Sequence, residues 1–170
     1  MFTSDDPLKF IFRGAFFLGA TALMFAFVAE YVFNLSPCIL CIYERIPYAF
    51  SLLFGLLGWI RPKAFPKILL MALFLSFLGG SALSFYHAGI ERGTFSSFGA
   101  CGGSSKALEA ESVEELESLI LATPVVRCDQ VSFRFLGLSL TEYNFLCSLL
   151  VTGLLGFVLY KAQRNKIDKT

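Results

Sequence analysis

The chain has 170 residues, the length of a single domain, yet 56% of them are hydrophobic and only 16% are charged. An ordinary soluble protein carries roughly 25% charged residues, and a small domain has too much surface to cover with fewer. The formal net charge of +1, with no basic stripe, argues against a nucleic-acid partner. The composition therefore predicts a membrane protein, and its five cysteines need an explanation.

Four apolar stretches predict four transmembrane helices, at about residues 14–33, 41–60, 68–86 and 143–160. Each is close to the ~20 residues of helix that cross a bilayer, and backbone groups in lipid must be hydrogen-bonded within their own segment. The first stretch is also compatible with a signal peptide, but Phe27-Val28-Ala29 is a poor cleavage site. The predicted fold class is all-α: a four-helix transmembrane bundle forming one integral membrane domain.

The Lys and Arg residues are distributed unequally between the two sides of the predicted bundle. The termini and the 61–67 loop hold nine of them against three Asp, whereas the other side holds five against ten acidic residues. This bias predicts that both termini are cytoplasmic. The outer side then carries a long loop, residues 87–142, with a short amphipathic helix expected after Ser104 or Ser105. That helix is expected to lie on the membrane or to pack on the protein.

Four of the five cysteines fall on the outer side. Cys38 and Cys41 form a C-x-x-C at the mouth of the second span, and Cys101 and Cys128 lie in the long loop. An even number of thiols on an oxidising side predicts two disulfides. The loop pair suits a structural bridge as well as a redox one. A bridge that closes so short a loop as C-x-x-C removes little chain entropy, so that pair indicates redox chemistry.

Two features near Cys41 favour its thiolate. Arg45 follows it by four residues and can therefore lie on the same helix face. The positive end of the second span also points outward here, and Pro47 indicates that the regular helix begins close by. The alternative for Arg45 is an interfacial arginine that pairs with Glu44.

Zinc is the other common use of several cysteines. Structural zinc sites combine two close-spaced couples, but Cys101 and Cys128 are far apart in the chain and distant from the C-x-x-C. We therefore expect no metal. Cys147, inside the fourth span, is expected to be a small apolar core residue.

The run from Pro37 to Arg45, PCILCIYER, resembles the DsbB family of bacterial disulfide bond formation proteins, which are quinone-linked thiol oxidases. The order of the cysteines is also similar, with the C-x-x-C preceding two widely spaced loop cysteines, and the likeness in topology covers the whole chain. The resemblance implies an inner-membrane enzyme that reoxidises a periplasmic DsbA-like dithiol protein. It further implies that the electrons pass to a membrane quinone, either ubiquinone or menaquinone.

The resemblance also implies roles for the cysteines. Cys101 and Cys128 resemble the family's loop disulfide, of which Cys101 is attacked by the partner's thiolate. Cys128 is then expected to attack Cys38, which frees the Cys41 thiolate to meet the quinone. The glycines around Cys101 suit an extended segment presented to a partner.

Two further residues match quinone-site positions of the family. Arg45 matches an arginine that steadies the quinone and the thiolate. His87 resembles, by position alone, a histidine near the quinone in some members, and a plain interfacial histidine is the alternative.

Two other functions stay open from the sequence. One is a four-helix quinone reductase of the vitamin K epoxide reductase type, in which the loop cysteines come before the C-x-x-C. The other is a non-enzymatic membrane protein with two structural disulfides. The residues do not distinguish a general oxidase from one dedicated to a single client.

Overall fold

A computed structural model of the chain describes residues 6–63, 65–96, 101, 112, 126–131 and 133–167. Its elements are, in chain order, α1 (Asp6–Tyr31), α2 (Ile39–Tyr43), α3 (Ile46–Ile60), α4 (Pro66–Glu91), β1 (Arg134–Phe135), β2 (Leu138–Ser139) and α5 (Leu140–Ile167).

Four helical segments are long and apolar enough to cross a membrane, namely Pro7–Tyr31, Ile39–Ile60, Pro66–Glu91 and Leu140–Arg164. The predicted all-α fold class with four membrane-spanning helices is thereby confirmed. The short helix predicted after Ser104 or Ser105 falls outside the described residues.

The helices associate as two pairs, because α1 packs mainly on α3 and α4 mainly on α5, while contacts between α3 and α4 join the pairs. Glycine permits the close approach of α1 and α3. A Cβ added at Gly55 would lie 2.5 Å from the backbone nitrogen of Phe16, and one at Gly19 would lie 2.5 Å from the carbonyl oxygen of Tyr48. Small residues at such crossings are typical of membrane helices, which gain stability from close packing.

The interior of the bundle combines an apolar cluster with small hydroxyl side chains. The apolar cluster consists of Phe12, Tyr48, Leu70, Leu73, Phe77 and Leu155. The buried hydroxyl residues include Ser51, Ser84, Ser148 and Thr152. Large apolar side chains such as Met24 and Leu150 are instead 63% and 66% exposed on the outside. This arrangement suits a bundle surrounded by lipid rather than by water.

We call the cysteine end the end of the bundle where α1 ends, α2 begins, α4 ends and α5 begins. Here the second span is interrupted by a turn at Glu44 and Arg45, and α3 begins at Ile46 with Pro47 in its first turn. This agrees with the helix start indicated by the proline. The α4 helix continues past Tyr86 to Glu91, so that His87 lies inside it.

A two-stranded hairpin leads into α5 at the cysteine end. Its two central residues, Leu136 and Gly137, have φ of 50° and 84°, as a type I′ turn requires. Ser139 then caps α5, because Glu142 N–H donates to Ser139 Oγ and Ser139 N–H donates to the Glu142 carboxylate. This reciprocal capping box sets where α5 starts.

Candidate functional site

The C-x-x-C pair lies at the start of α2. Cys38 is the N-cap residue, and its Sγ accepts a hydrogen bond from the backbone N–H of Cys41 at 3.3 Å. The two Sγ atoms are 3.0 Å apart, with Cys38 buried and Cys41 half-buried. The pKa of the Cys38 thiol lies well below its usual value, chiefly because the Cys41 thiol hydrogen-bonds to it. Burial opposes this shift, and a hydrogen bond from His87 adds to it.

His87 of α4 is in direct contact with this pair. Its Nε2 lies 3.5 Å from Cys38 Sγ, and its Nδ1 lies 2.8 Å from Glu44 Oε1. His87 is 1% exposed and lies against the cysteines, and its expected place near a quinone stays a prediction. Glu44 was not predicted as a site residue, although a charged residue beside a C-x-x-C in an apolar segment was an available signal.

Asn144 of α5 links three helices behind Glu44. Its Nδ2 donates to Glu44 Oε2 at 2.8 Å and to Ser84 Oγ at 2.7 Å, while its Oδ1 accepts from Tyr48 O–H at 2.5 Å. Within the described residues, no buried side-chain nitrogen or oxygen lacks a partner. This polar network, which the sequence analysis missed, holds the Glu44 carboxylate against His87.

A second buried carboxylate, Glu91, lies one helical turn beyond His87. Its Oε1 accepts from Thr141 O–H at 2.8 Å and its Oε2 accepts from the Ser139 hydroxyl. Glu91 Oε1 is 4.0 Å from His87 Nε2. Acidic groups therefore flank the imidazole from both α4 and the turn before α3.

Arg45 is paired with α1 and not with its sequence neighbour. Its Nη1 donates to Glu30 Oε2 at 2.6 Å, and its guanidinium lies 5.3 Å from the ring centroid of Phe27. The alternative that pairs Arg45 with Glu44 is wrong, because the Glu44 carboxylate is hydrogen-bonded to His87 and Asn144 instead.

A cavity of about 330 Å³ opens beside these groups. Its polar lining includes Cys41, Arg45 and His87, and its apolar lining includes α1 side chains such as Phe25, which is 60% exposed on the outside of the bundle. The lining also includes the guanidinium groups of Arg45 and Arg127, so the slot offers an apolar surface for a ring and hydrogen-bond donors for carbonyl oxygens. Cys147 lines the same cavity and is half-buried, so it is not the plain core residue that the sequence predicted.

The loop cysteines are bonded to each other. Cys101 and Cys128 form a disulfide, are 4% and 1% exposed, and pack in one apolar cluster with Cys38, Leu40 and Ile90. The structure therefore brings all four predicted cysteines together at the cysteine end. A four-cysteine metal site is incompatible with this disulfide, whereas the donor atoms of Cys38, Cys41 and His87 all lie within 4.8 Å of one another.

Comparison with known proteins agrees with this arrangement. Residues 9–158 match the family described as Disulfide bond formation protein DsbB. The chain is 31% identical to the uncharacterized protein RP370 of Rickettsia prowazekii (strain Madrid E), over 85% of this chain and 84% of that protein. It is also 28% identical to Disulfide bond formation protein B of Xanthomonas euvesicatoria pv. vesicatoria (strain 85-10), over 95% of this chain and 98% of that protein.

A further relative is Disulfide bond formation protein B of Hahella chejuensis (strain KCTC 2396), which is 30% identical over 87% of this chain and 92% of that protein. The family match covers nearly the whole bundle and includes the C-x-x-C and both loop cysteines. The chain is therefore a multi-pass membrane protein that belongs to the DsbB family of disulfide bond formation proteins.

Proposed function

We propose that this protein is a membrane thiol oxidase that reoxidises a periplasmic DsbA-like dithiol protein and passes the electrons to a membrane quinone through two disulfides. The observation that carries the proposal is that the loop disulfide, the C-x-x-C pair and the cavity all lie together at the cysteine end. The Cys101–Cys128 disulfide lies in one buried cluster with Cys38. Cys41, whose Sγ is 3.0 Å from that of Cys38, lines the same cavity as Arg45. The proposed location is the bacterial inner membrane, with both termini in the cytoplasm.

The loop disulfide is the proposed entry point for electrons. A thiolate of the partner attacks Cys101, the S–S bond to Cys128 breaks, and the second partner thiol resolves the mixed disulfide. The partner leaves oxidised, and Cys101 and Cys128 are left as a dithiol. Thiol–disulfide exchange of this kind needs only contact between sulfurs.

The C-x-x-C disulfide is the proposed second carrier. The Cys128 thiolate attacks Cys38, and Cys41 leaves as a thiolate. Cys101 then attacks Cys128 of the resulting mixed disulfide, which restores the loop disulfide and releases Cys38 as a thiolate. Two electrons have moved from the loop to Cys38 and Cys41. The location of both pairs in or beside one apolar cluster supports this transfer.

The cavity is the proposed site of the quinone, which supplies an acceptor for two electrons and two protons. The Arg45 guanidinium would hold a carbonyl oxygen of the ring, with Glu30 and Phe27 fixing its direction. The apolar α1 side chains would exclude water and admit an isoprenoid tail from the lipid. His87 and Glu44 would orient Cys38 and hold a proton near its sulfur.

A quinone also suits the energetics. A DsbA-type oxidant has a potential of about −120 mV, so its reoxidation needs an acceptor that is at least as oxidising. The family match favours a DsbB-type oxidase over the vitamin K epoxide reductase type, whose cysteines occur in the reverse order along the chain.

The test is reduction of a water-soluble quinone by the purified protein with a reduced DsbA-like protein as donor. Cys41→Ser is expected to abolish quinone reduction while the Cys101–Cys128 disulfide still forms. Cys147→Ser is the matched control, because Cys147 lines the same cavity but belongs to neither disulfide. Quinone turnover that survives Cys41→Ser would contradict the mechanism. Disulfides that do not reform when quinone is added to the reduced protein would favour a non-enzymatic, structural role.

A further inference from the structure

Three strong metal-binding groups converge at the cysteine end. Cys38 Sγ lies 3.0 Å from Cys41 Sγ and 3.5 Å from His87 Nε2, and the three donor atoms all lie within 4.8 Å of one another. Two thiolates and an imidazole form a donor set that suits Zn²⁺ and related borderline cations. Sequence spacing gave no indication of this set, because His87 comes from a different helix.

The histidine is already oriented as a metal ligand would be. Its Nδ1 faces Glu44 Oε1 at 2.8 Å, which leaves Nε2 directed at the sulfurs. Glu44 is held in turn, because its Oε2 accepts from Asn144. A carboxylate on the far nitrogen fixes the tautomer of a ligating histidine and raises its basicity. The three donor groups, and the residues that orient the histidine among them, are therefore already in position to bind a cation.

Burial and access favour a site that exchanges its cation. Cys38 and His87 are 4% and 1% exposed, so their donor atoms are shielded from competing water. Cys41 and His87 also line the 330 Å³ cavity, which gives a cation a route inward. Glu91 lies near His87 but already accepts hydrogen bonds from Thr141 and Ser139, so the set has three protein ligands. Three protein ligands with one open position are typical of exchangeable zinc sites rather than closed structural ones.

We propose that Cys38, Cys41 and His87 form a three-ligand site for Zn²⁺ in the reduced protein, and that the cation stops the thiol relay. Binding releases two protons, the one on Cys41 and the one between Cys38 Sγ and His87 Nε2, and moves no electrons. In the oxidised form the two sulfurs are bonded to each other, so the site exists only in the dithiol state. The inhibitory consequence rests on the proposed function, because only a thiol oxidase returns to this dithiol in every turnover.

The binding experiment uses the full-length protein in detergent, reduced and then freed of reductant without oxygen. Co²⁺ is the probe, since its visible absorption reports tetrahedral geometry and thiolate ligation, and Zn²⁺ is then added to displace it. All variants are made in a protein that carries Cys147→Ser. This substitution removes the one free thiol outside the set among the described residues. Cys101→Ser/Cys128→Ser in this background leaves Cys38 and Cys41 as the remaining thiols.

We expect one Co²⁺ per reduced chain and none per oxidised chain. His87→Ala is expected to weaken Zn²⁺ binding at least tenfold and to alter the Co²⁺ spectrum, because a nitrogen ligand is lost. Glu44→Gln keeps all three ligands. It is expected to weaken Zn²⁺ binding about tenfold, because the carboxylate that fixes the tautomer of His87 and raises its basicity is lost. Equal Zn²⁺ affinity of the parent and His87→Ala would overturn the proposal, since the dithiol alone would then be the site. Equal binding by the oxidised protein would overturn it as well.

Inhibition is measured separately, as quinone reduction with and without Zn²⁺. We expect saturating Zn²⁺ to abolish turnover and a chelator to restore it, whereas full turnover at saturating Zn²⁺ would overturn the inhibitory part. Metal binding is measured without quinone or partner. A chain that binds Zn²⁺ through His87 but never reduces quinone therefore disproves the oxidase function and leaves the site intact.

Discussion

The guanidinium of Arg45 is held by Glu30, with Arg45 Nη1 2.6 Å from Glu30 Oε2. Phe27, one turn before Glu30 on α1, lies against the same guanidinium at 5.3 Å. Both groups come from the first helix, so α1 orients an arginine that belongs to the segment of the C-x-x-C. The ion pair is partly buried, with side-chain exposures of 20% and 23%.

Glu30→Ala is expected to raise the KM for a soluble quinone about fivefold, because a partly exposed ion pair is worth on the order of 1 kcal/mol. The effect arises from lost orientation of Arg45, so kcat should change less than KM. Glu30→Gln retains an acceptor oxygen and should change KM less. Tyr31→Phe, at the exposed neighbouring position, is the control. An unchanged KM would show that Glu30 does not orient Arg45 for the quinone, and a lower KM would show that Glu30 competes with the quinone for Arg45.

Alkylation of Cys38 in the reduced protein is expected to be nearly independent of pH between 8 and 6. Its pKa is lowered by the Cys41 thiol and by His87, so the reactive thiolate persists as the pH falls, and is lost only when the pH approaches the lowered pKa. An ordinary cysteine would slow by roughly two orders of magnitude over this range.

The measurement is the rate of iodoacetamide labelling of the Cys38 peptide by mass spectrometry, in the Cys147→Ser background. His87→Gln should restore part of the ordinary pH dependence, because the imidazole helps to lower the pKa of Cys38. A labelling rate that falls about tenfold per pH unit in the unchanged protein would show that the Cys38 pKa is not lowered.

Gly55→Ala is expected to destabilise the bundle by about 1–3 kcal/mol, the usual cost of overpacking. The added Cβ would lie 2.5 Å from the backbone nitrogen of Phe16, and backbone atoms of α1 cannot move aside as a flexible side chain would. Thermal unfolding in detergent measures the effect. Gly153→Ala is the matched control, since nothing lies within 4 Å of its added Cβ. Equal melting temperatures for the two variants would contradict the close crossing of α1 and α3.

Asn144→Ala is expected to lower the free energy of unfolding by about 1–3 kcal/mol, because buried polar groups lose their partner. The amide bonds Glu44, Ser84 and Tyr48 at once. Leu150→Ala, at a position on the same helix that is 66% exposed on the outside, is the control. It should lower the free energy of unfolding less than Asn144→Ala does. An Asn144→Ala protein as stable as the parent in detergent unfolding would show that the network contributes no stability.

Hydropathy was sufficient to predict the membrane-spanning helices, because a segment that crosses lipid must be long and apolar whichever helices it packs against. The C-x-x-C was recognisable for a similar reason, since both of its sulfurs come from one short segment. The partner of Arg45 was not predictable in this way. Glu44 is adjacent in sequence, yet Glu30 of another helix forms the ion pair, and local spacing carries no information about which helices touch.

The sequence by itself thus determined the class of protein, the helical segments and the presence of redox-capable cysteines, since each depends on composition or on residues close along the chain. The tertiary structure decided what surrounds those cysteines. It gathers the Cys101–Cys128 disulfide and Cys38 in one buried cluster, and directs His87 at the Cys38 sulfur, with Glu44 and Asn144 behind it. These contacts join residues tens of positions apart, and they depend on how the helices pack, which no single segment encodes.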